Sequence, residues 1–450
     1  MTSPRAALYR LHWEARSRAA GFGLTRALRL LLESQRWERR RLEELRDRKL
    51  VRLVEHAYAA SPHYRRMMEE RGVRPADVRG LADLPRLPVL TRDVLREHGE
   101  ALRLRGDLAV ETTATGGTTG SPIRVVRDRA GSVWQRGCYW RGLGWGGLRL
   151  GEPFVQLFGG TLGVARARRL ERARSWFSGK HFLPAFELGP QNVARYLDAI
   201  RASRARFLIG YTSAVYLLAS RAERSGVRLG LGAVFPTAEP LLDSWRDTIA
   251  RAFGAAVLPY YGCGEIQSLG YSCPAAEAPV YHTCDEHSVI EVETPGGGAS
   301  LVGEGPFLVT DLDNHALPMI RYRNGDAGAL GPPGCRCGRS LGRIMRIDGR
   351  VNDVLYTTGG DAISGAIGPH AFKMVAGVEQ FQIVQRRPGQ VAIAIVRLPG
   401  YAAAAEEPKI DRIFRQHLGV GAEIEIRYVD SIPRTPAGKA RFIISEVAAP

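Results

Sequence analysis

Thr115-Gly116-Gly117-Thr118-Thr119-Gly120-Ser121-Pro122 crowds three Gly, three Thr and a Ser into eight residues. Glycines let a backbone approach a ligand closely and turn its N–H groups inward, and hydroxyls add short donors, so the segment can cradle phosphate oxygens. It is not the P-loop of nucleotide hydrolases, because Ser121 rather than Lys follows the last glycine. Taken alone, the same residues also read as a Gly/Thr-rich hairpin turn.

Outward from this segment the texture is that of an α/β chain. Short apolar runs such as Phe154 to Phe158, Phe207 to Gly210, Ala233 to Pro236 and Ala256 to Tyr261 alternate with helical patterns over Asn192 to Ala202 and Leu241 to Phe253. After Glu277 the pattern turns strand-rich, over Ser288 to Glu293, Pro306 to Asp311 and Met319 to Tyr322. Upstream, residues 1 to about 105 read as helical and polar, and the alternating signs from Trp37 to Asp47 read as a solvated helix face. Past Gly349 comes an α+β unit, with strands over Gln380 to Gln385, Val391 to Arg397 and Glu423 to Tyr428, and helices over His370 to Val375 and Lys409 to His417.

Five more short motifs follow the first in chain order. They are Ala238-Glu239-Pro240, Tyr261-Gly262-Cys263-Gly264-Glu265, Tyr322-Arg323-Asn324-Gly325-Asp326, Gly349-Arg350-Val351-Asn352-Asp353 and Pro433-Arg434-Thr435-Pro436-Ala437-Gly438-Lys439. The set resembles, in order, the motifs of the adenylate-forming (acyl-AMP) ligase superfamily. The helical N-terminus, Gly210-Tyr211-Thr212-Ser213 and Cys335-Arg336-Cys337-Gly338-Arg339 resemble its phenylacetate–CoA ligase and capsular-polysaccharide adenylyltransferase-like branch. The resemblance covers essentially the whole chain.

It implies a large α/β adenylate-forming domain at 1–348, with residues 1–105 as a mainly helical extension, and a small mobile α+β domain at 349–450. It also implies ATP-dependent activation of a carboxylic acid, aromatic by preference, to an acyl-adenylate that passes to coenzyme A; an amine or hydroxyl acceptor is the alternative. Both reactants are anionic, so the chemistry needs positioning and charge neutralisation.

By resemblance, Thr115, Gly116, Gly117, Thr118, Thr119 and Gly120 bind the phosphates, with Thr119 catalytic. Ala238, Glu239, Pro240, Tyr261 and Gly262 line the nucleotide. Glu265 is a hard oxygen ligand suited to Mg²⁺, Asp326 an acceptor on a Gly-Asp turn suited to ribose hydroxyls, and Arg350 a fork of donors. Asn352 stands at the hinge slot, where its tolerance of unusual dihedrals permits rotation of the small domain. Lys439 would neutralise the developing phosphate charge. Lysine is rare here, five residues (Lys49, Lys180, Lys373, Lys409, Lys439) against 58 Arg, so one in that slot stands out from the background.

The six Cys are too sparse for a disulfide scaffold. Cys273, His282, Cys335 and Cys337 offer a Cys₃His set typical of structural Zn²⁺, with Cys284 and His287 as competing ligands. Aromatics concentrate between Trp134 and Phe186; most read as core, the rest as a slot for an aromatic acid. Arg166, Arg168, Arg169, Arg172 and Arg174 read as a solvated face, or as a surface for the phosphates of coenzyme A.

At 450 residues, 45% hydrophobic and 24% charged, the chain excludes disorder, and no apolar run approaches a membrane span. The N-terminus is interrupted by Arg5, Arg10 and Glu14 and lacks a signal-peptide core, so a cytoplasmic protein is expected. The net charge of +17 invites a nucleic-acid partner, or a basic surface-binding protein that keeps a degenerate ligase fold. The Arg are spread along the whole chain, which reads as genome composition, so no dedicated nucleic-acid binding is expected. A homodimer is left open.

Overall fold

The computed structural model describes residues 4–19, 22–103, 109–114, 124–158, 169–185, 188, 193–276, 280–296, 298–350, 354–360, 362–364, 371–372, 374–433 and 441–447. Among these, thirteen strands form one sheet. Its first part is parallel, in the order Lys180–Pro184, Phe154–Phe158, Phe207–Tyr211 and Ala233–Thr237, with Ala256–Val257 and Tyr260–Tyr261 beside the last. Parallel strands need helical crossovers that cover both faces, which is why the inner runs Phe207–Tyr211 and Ala233–Thr237 are buried nearly throughout rather than alternating, whereas the edge strand Lys180–Pro184 carries Lys180 and His181. Phe207–Tyr211 leads directly into the helix Thr212–Arg224, buried on nearly every side.

From Tyr260 the sheet turns antiparallel, through Gly270–Ser272, Tyr281–Thr283, Arg343–Arg350, Met319–Gly331, Gly303–Asp311, Ser288–Glu293 and Ala299–Ser300. The strand expected over Met319 to Tyr322 is far longer than its apolar run suggests, because it continues through a bulge. Arg323 lies opposite Leu308 and Ala327 opposite Pro306, so Asn324, Gly325 and Asp326 together face the single residue Phe307. Gly325 absorbs the distortion at φ +84. Asp326 therefore sits on a strand bulge, not on the turn that the Gly-Asp pair suggested.

A separate four-stranded sheet follows, ordered Glu423–Tyr428, Gln390–Arg397, Val378–Arg387 and Ile443–Ser445. The helix Ala403–Leu418 covers it with Ile410, Ile413, Phe414 and Leu418. That helix starts six residues before the expected Lys409 and runs through Pro408. The ring removes one backbone donor, and the buried face offsets the loss. The helix expected from His370 to Val375 falls partly outside the described residues.

The N-terminal helices Pro4–Ala19, Leu24–Ser34, Arg39–Ala60, Pro62–Glu70 and Arg92–Leu102 pack against the large sheet and the helix Arg129–Trp145. Close approach is built in at Gly142, where a Cβ would lie 2.1 Å from the Tyr271 ring. The Trp37 to Asp47 stretch is not simply a solvated face. Arg46 is buried and lies 3.6 Å from Asp285, and Arg39 contacts the same carboxylate at 2.5 Å. Burial alone would raise the Asp285 pKa; Arg46 and Arg39 overcome it and hold the carboxyl at about 2. Lys49 pairs with Asp313 at 2.7 Å.

Removing one partner of a buried pair leaves the other charge uncompensated, at a cost on the order of 3 kcal/mol. Asp285→Ala should therefore lower the urea midpoint by about that much stability at pH 7. An unchanged midpoint would mean that Arg39 and Arg46 do not depend on Asp285.

Candidate functional site

The strands Ala109–Ala114 and Arg124–Asp128 pair as a hairpin closed by Ala114 and Arg124. The Thr115 to Gly120 segment connects these two strands and itself lies outside the described residues. Arg127 is buried on the second strand, and its guanidinium donates to the backbone carbonyl of Glu265 at 2.7 Å. The hairpin is thereby tied to the Tyr261 to Glu265 motif. Glu265 is 3% exposed, and its Oε1 is left without a hydrogen bond. Arg92 approaches that oxygen at 3.6 Å from the first turn of Arg92–Leu102. The Tyr322 hydroxyl, also without a hydrogen-bond partner, has its pKa pushed up by burial and by the Glu265 charge.

Tyr261 follows the parallel strands and Asp326 stands on the bulge; a hydrogen bond joins them. The Tyr261 hydroxyl donates to Asp326 Oδ2 at 2.8 Å. Asn324 Nδ2 donates to the Tyr261 oxygen at 2.7 Å, and Asn324 Oδ1 accepts from the Asp326 N–H at 3.0 Å. Burial and the Asp326 charge raise the Tyr261 pKa, so the phenol keeps its proton and stays a donor. Asp326 is directly opposite Arg350 in the antiparallel register. Three motifs far apart in sequence thus meet at one point.

Glu239 follows the strand Ala233–Thr237, with Ala238 before it at φ +67, an uncommon conformation for a residue with a Cβ. Its carboxylate accepts from the Ser213 N–H at 2.7 Å, at the start of Thr212–Arg224, where a negative charge faces the positive helix end. Thr212 Oγ1 donates to the Glu239 carbonyl at 3.0 Å. Gly210 to Ser213 and Ala238 to Pro240 therefore sit side by side at the carboxyl ends of parallel strands, the usual position of ligands in such sheets. Phe158 and Tyr211, each the last residue of its strand, meet edge to face at 5.0 Å.

Cys273, His282, Cys335 and Cys337 come together, with all four ligand atoms within 4.8 Å of one another. Cys273 Sγ lies 3.9 Å from Cys335 Sγ, and His282 Nε2 lies 3.2 Å from Cys337 Sγ. A tetrahedral zinc with Zn–S bonds of about 2.3 Å needs sulfur pairs about 3.8 Å apart, so the donor set fits that ion. Burial and the nearby Arg339 and Arg141 lower the His282 pKa to about 4, so the imidazole is neutral at pH 7, as a metal ligand must be. The competing candidates are placed elsewhere: Cys284 is fully buried near Cys138, and His287 bonds Asp313 at 3.0 Å. The cluster is anchored to the N-terminal helices, since Gln35 accepts from both Trp145 Nε1 (2.9 Å) and Arg339 Nε (3.1 Å).

Gly116, Gly117, Thr118 and Thr119, like Asn352, Lys439, Arg166 and Arg168, lie outside the described residues, and only the backbone of Arg350 is described. Of the aromatics, Trp134 and Phe154 are core, whereas Trp176 is 67% exposed. Arg92, Arg127 and Asn324 were missed by motif reasoning. Two are arginines in an Arg-rich chain, and Asn324 stands inside a motif whose Asp drew the attention.

The fold is the one seen in solved adenylate-forming ligases. Residues 355–446 match the CapK C-terminal domain family. The chain is 27% identical to the phenylacetate-coenzyme A ligase of Thermus thermophilus, over 90% of this chain and 97% of that one. It is 21% identical to protein CapK of Staphylococcus aureus, over 90% of each. 2-Hydroxyisobutyryl-CoA ligase in its postadenylation state superposes with a TM-score of 0.72 at 22% identity, over 88% of each chain. The chain as a whole is similar to the phenylacetate–CoA ligases and to CapK, and its C-terminal part matches the CapK C-terminal domain.

Arg92 is the only cation within ion-pair distance of the Glu265 carboxylate among the described residues. Arg92→Ala should destabilise the protein by about 2 kcal/mol at neutral pH, because a buried carboxylate loses its partner. An unchanged urea midpoint for Arg92→Ala would contradict the pairing.

Proposed function

We propose that the protein is an AMP-forming acid ligase: it activates a carboxylic acid with ATP to an acyl-adenylate, releasing pyrophosphate, and passes the acyl group to coenzyme A, releasing AMP. The observation that carries this reading is the hydrogen bond from Tyr261 to Asp326, which brings the motifs around Glu265, Asp326 and Arg350 into one site. Asp326, fixed by Tyr261 and Asn324, accepts from the ribose hydroxyls. The hairpin held by Arg127 presents Thr115 to Gly120, with Thr119, to the phosphates. Ala238 to Pro240 flank the adenine. Lys439 donates to the phosphorus oxygens as the carboxylate attacks, when negative charge concentrates there.

The buried Oε1 of Glu265, which has no hydrogen bond, fits a hard cation, and Glu265 would hold Mg²⁺ there. Magnesium, when bound, neutralises phosphate charge. Zn²⁺ in the cysteine–histidine cluster would be structural, pinning the segment after Glu265 to the strand Arg343–Arg350. The phenylacetate ligase relatives and the Phe158–Tyr211 pair at the strand ends support an aromatic acid. A division of the chain near residue 349 is supported by Arg343–Arg350 belonging to the large sheet and by the family match that begins at 355. Among the described residues no helix is long and apolar enough to cross a membrane. ATP and coenzyme A are intracellular substrates, which supports the cytoplasm.

ATP–pyrophosphate exchange should depend on both Mg²⁺ and the acid. Lys439→Ala should slow it by about a hundredfold, the scale of losing one transition-state donor, and should leave consumption of a supplied acyl-adenylate nearly intact. Equal damage to both steps would overturn the role of Lys439. If the adenylate ignores coenzyme A and reacts with an amine, the protein is an amide-forming ligase instead.

Freshly purified protein should also carry about one Zn²⁺ per chain, and Cys335→Ser should release it and lower the melting temperature. Metal retained by Cys335→Ser but lost from Cys284→Ser would overturn the ligand set.

A further inference from the structure

The helix Pro4–Ala19 is apolar on two sides. Its inner side is anchored: Ala6 and Ser17 are buried, and Arg5 donates to the carbonyls of Gly151 and Trp176, each at 2.9 Å. Those contacts fix which way the helix is turned. The side left to solvent carries Leu8, Leu11, His12, Ala15 and Ala19, at the three- and four-residue spacings of one helical stripe. Leu8 is 59% exposed and Leu11 63%. A surface helix ordinarily puts polar residues on that side.

The stripe continues onto a second helix. His12 meets the Phe177 ring edge to face at 5.7 Å, and Tyr9 meets the same ring at 5.1 Å. Phe177 belongs to the last turn of the helix Arg169–Ser178, where its neighbour Trp176 stands exposed. With Val420, which lies far along the chain, Trp176, Leu11 and Leu8 are the most exposed large apolar side chains among the described residues. Apolar residues scattered singly over a surface are ordinary, but these three sit on two touching helices and form a patch.

Cations frame the patch. The helix Pro4–Ala19 holds Arg5, Arg10, Arg16 and Arg18 against a single acid, Glu14, and that carboxylate is already shared by Arg18 at 3.4 Å and Arg29 at 3.8 Å. Arg16, Arg18 and Arg174 are exposed. This charge decides what can cover the patch. A symmetric pair of copies would lay the patch on itself, arginine against arginine. A layer of anionic lipid headgroups meets the arginines with opposite charge and offers the leucines hydrocarbon beneath. Tryptophan, with an apolar body and a polar tip, suits the boundary between the two.

We propose that this face docks the protein on the surface of an anionic phospholipid bilayer. The helix Pro4–Ala19 lies in the plane of the headgroups, with Leu8, Leu11 and Trp176 at the top of the acyl chains and Arg16, Arg18 and Arg174 at the phosphates. The arginines draw the face to the membrane, an attraction that salt screens, and the apolar side chains hold it there. None of these side chains belongs to the nucleotide motifs, so the docking stands apart from the ligase reading.

Sedimentation of the full-length protein with vesicles tests the docking. The protein should sediment with vesicles of phosphatidylcholine and phosphatidylglycerol in about equal parts, and far less with phosphatidylcholine alone. Leu8→Ser with Leu11→Ser should weaken binding to the mixed vesicles by about tenfold or more, and Trp176→Ser by a similar factor. These variants keep the net charge, and their melting temperatures should stay close to that of the wild type because all three side chains are exposed. Arg16→Gln with Arg18→Gln should also weaken binding, and this pair keeps the test open if a serine variant fails to fold. Binding that is unchanged in Leu8→Ser with Leu11→Ser would overturn the proposal, since a chain of net charge +17 can adhere to anionic vesicles through charge alone. A dimer in solution that these serines dissociate, with no binding to either vesicle, would overturn it too and give the face to a second copy of the chain.

Discussion

Arg141 and Glu286, both fully buried and 2.6 Å apart, form the contact on which the rest of the arrangement depends. Arg141 comes from the helix Arg129–Trp145 and Glu286 from the segment that follows His282 of the cysteine–histidine cluster. Ser34, at the end of an N-terminal helix, shares the same carboxylate. Around them Arg39 and Arg46 hold Asp285, and Lys49 holds Asp313. A buried ion pair is weak evidence for stability, since desolvation offsets much of the attraction. What it supplies here is register, because a charge with a single acceptable partner leaves the helices one way to sit. The N-terminal helices carry Arg92 to Glu265 and Gln35 to the loop of Cys335 and Cys337, so that register reaches both clusters.

The site itself is built to receive negative charge. Its own acids are held by neighbouring donors: Glu239 by a helix N-terminus, Asp326 by Tyr261 and an Asn324 amide, and Glu265 by Arg92. Each carboxylate is therefore presented in a fixed direction. Fixed dipoles and charges need no reorganisation when the reacting anions arrive, which is the main resource available to a reaction between a carboxylate and a triphosphate. The +17 net charge adds a field that draws such substrates in at low salt, without choosing among them.

The parallel strands were legible because each is a short apolar run between Gly-rich turns and helical periodicity. The motifs were legible because each combines glycine geometry with one chemically pointed residue. The bulge at Asn324 to Asp326 was not, because apolar periodicity stops at Tyr322 while the backbone pairing continues. The helix through Pro408 was hidden by the local rule against proline, which the buried face of Ile410, Ile413 and Phe414 overrides. Arg46 and Arg92 were invisible for a different reason: among 58 arginines, only the fold distinguishes a buried partner from a solvated one. The set Cys273, His282, Cys335 and Cys337 was named from the sequence with Cys284 as a competitor, and the strand pairing that carries His282 toward the Cys335 loop gathers those four.

The central claim is that the carboxylate oxygen attacks the α-phosphorus of ATP within this site. Turnover of an acid labelled with ¹⁸O in its carboxylate, with ATP and coenzyme A, tests it most directly. The account predicts that one labelled oxygen leaves in AMP, because the acyl–oxygen bond of the adenylate is the one that breaks on transfer. Label recovered in inorganic phosphate, with ADP as the nucleotide product, would contradict it.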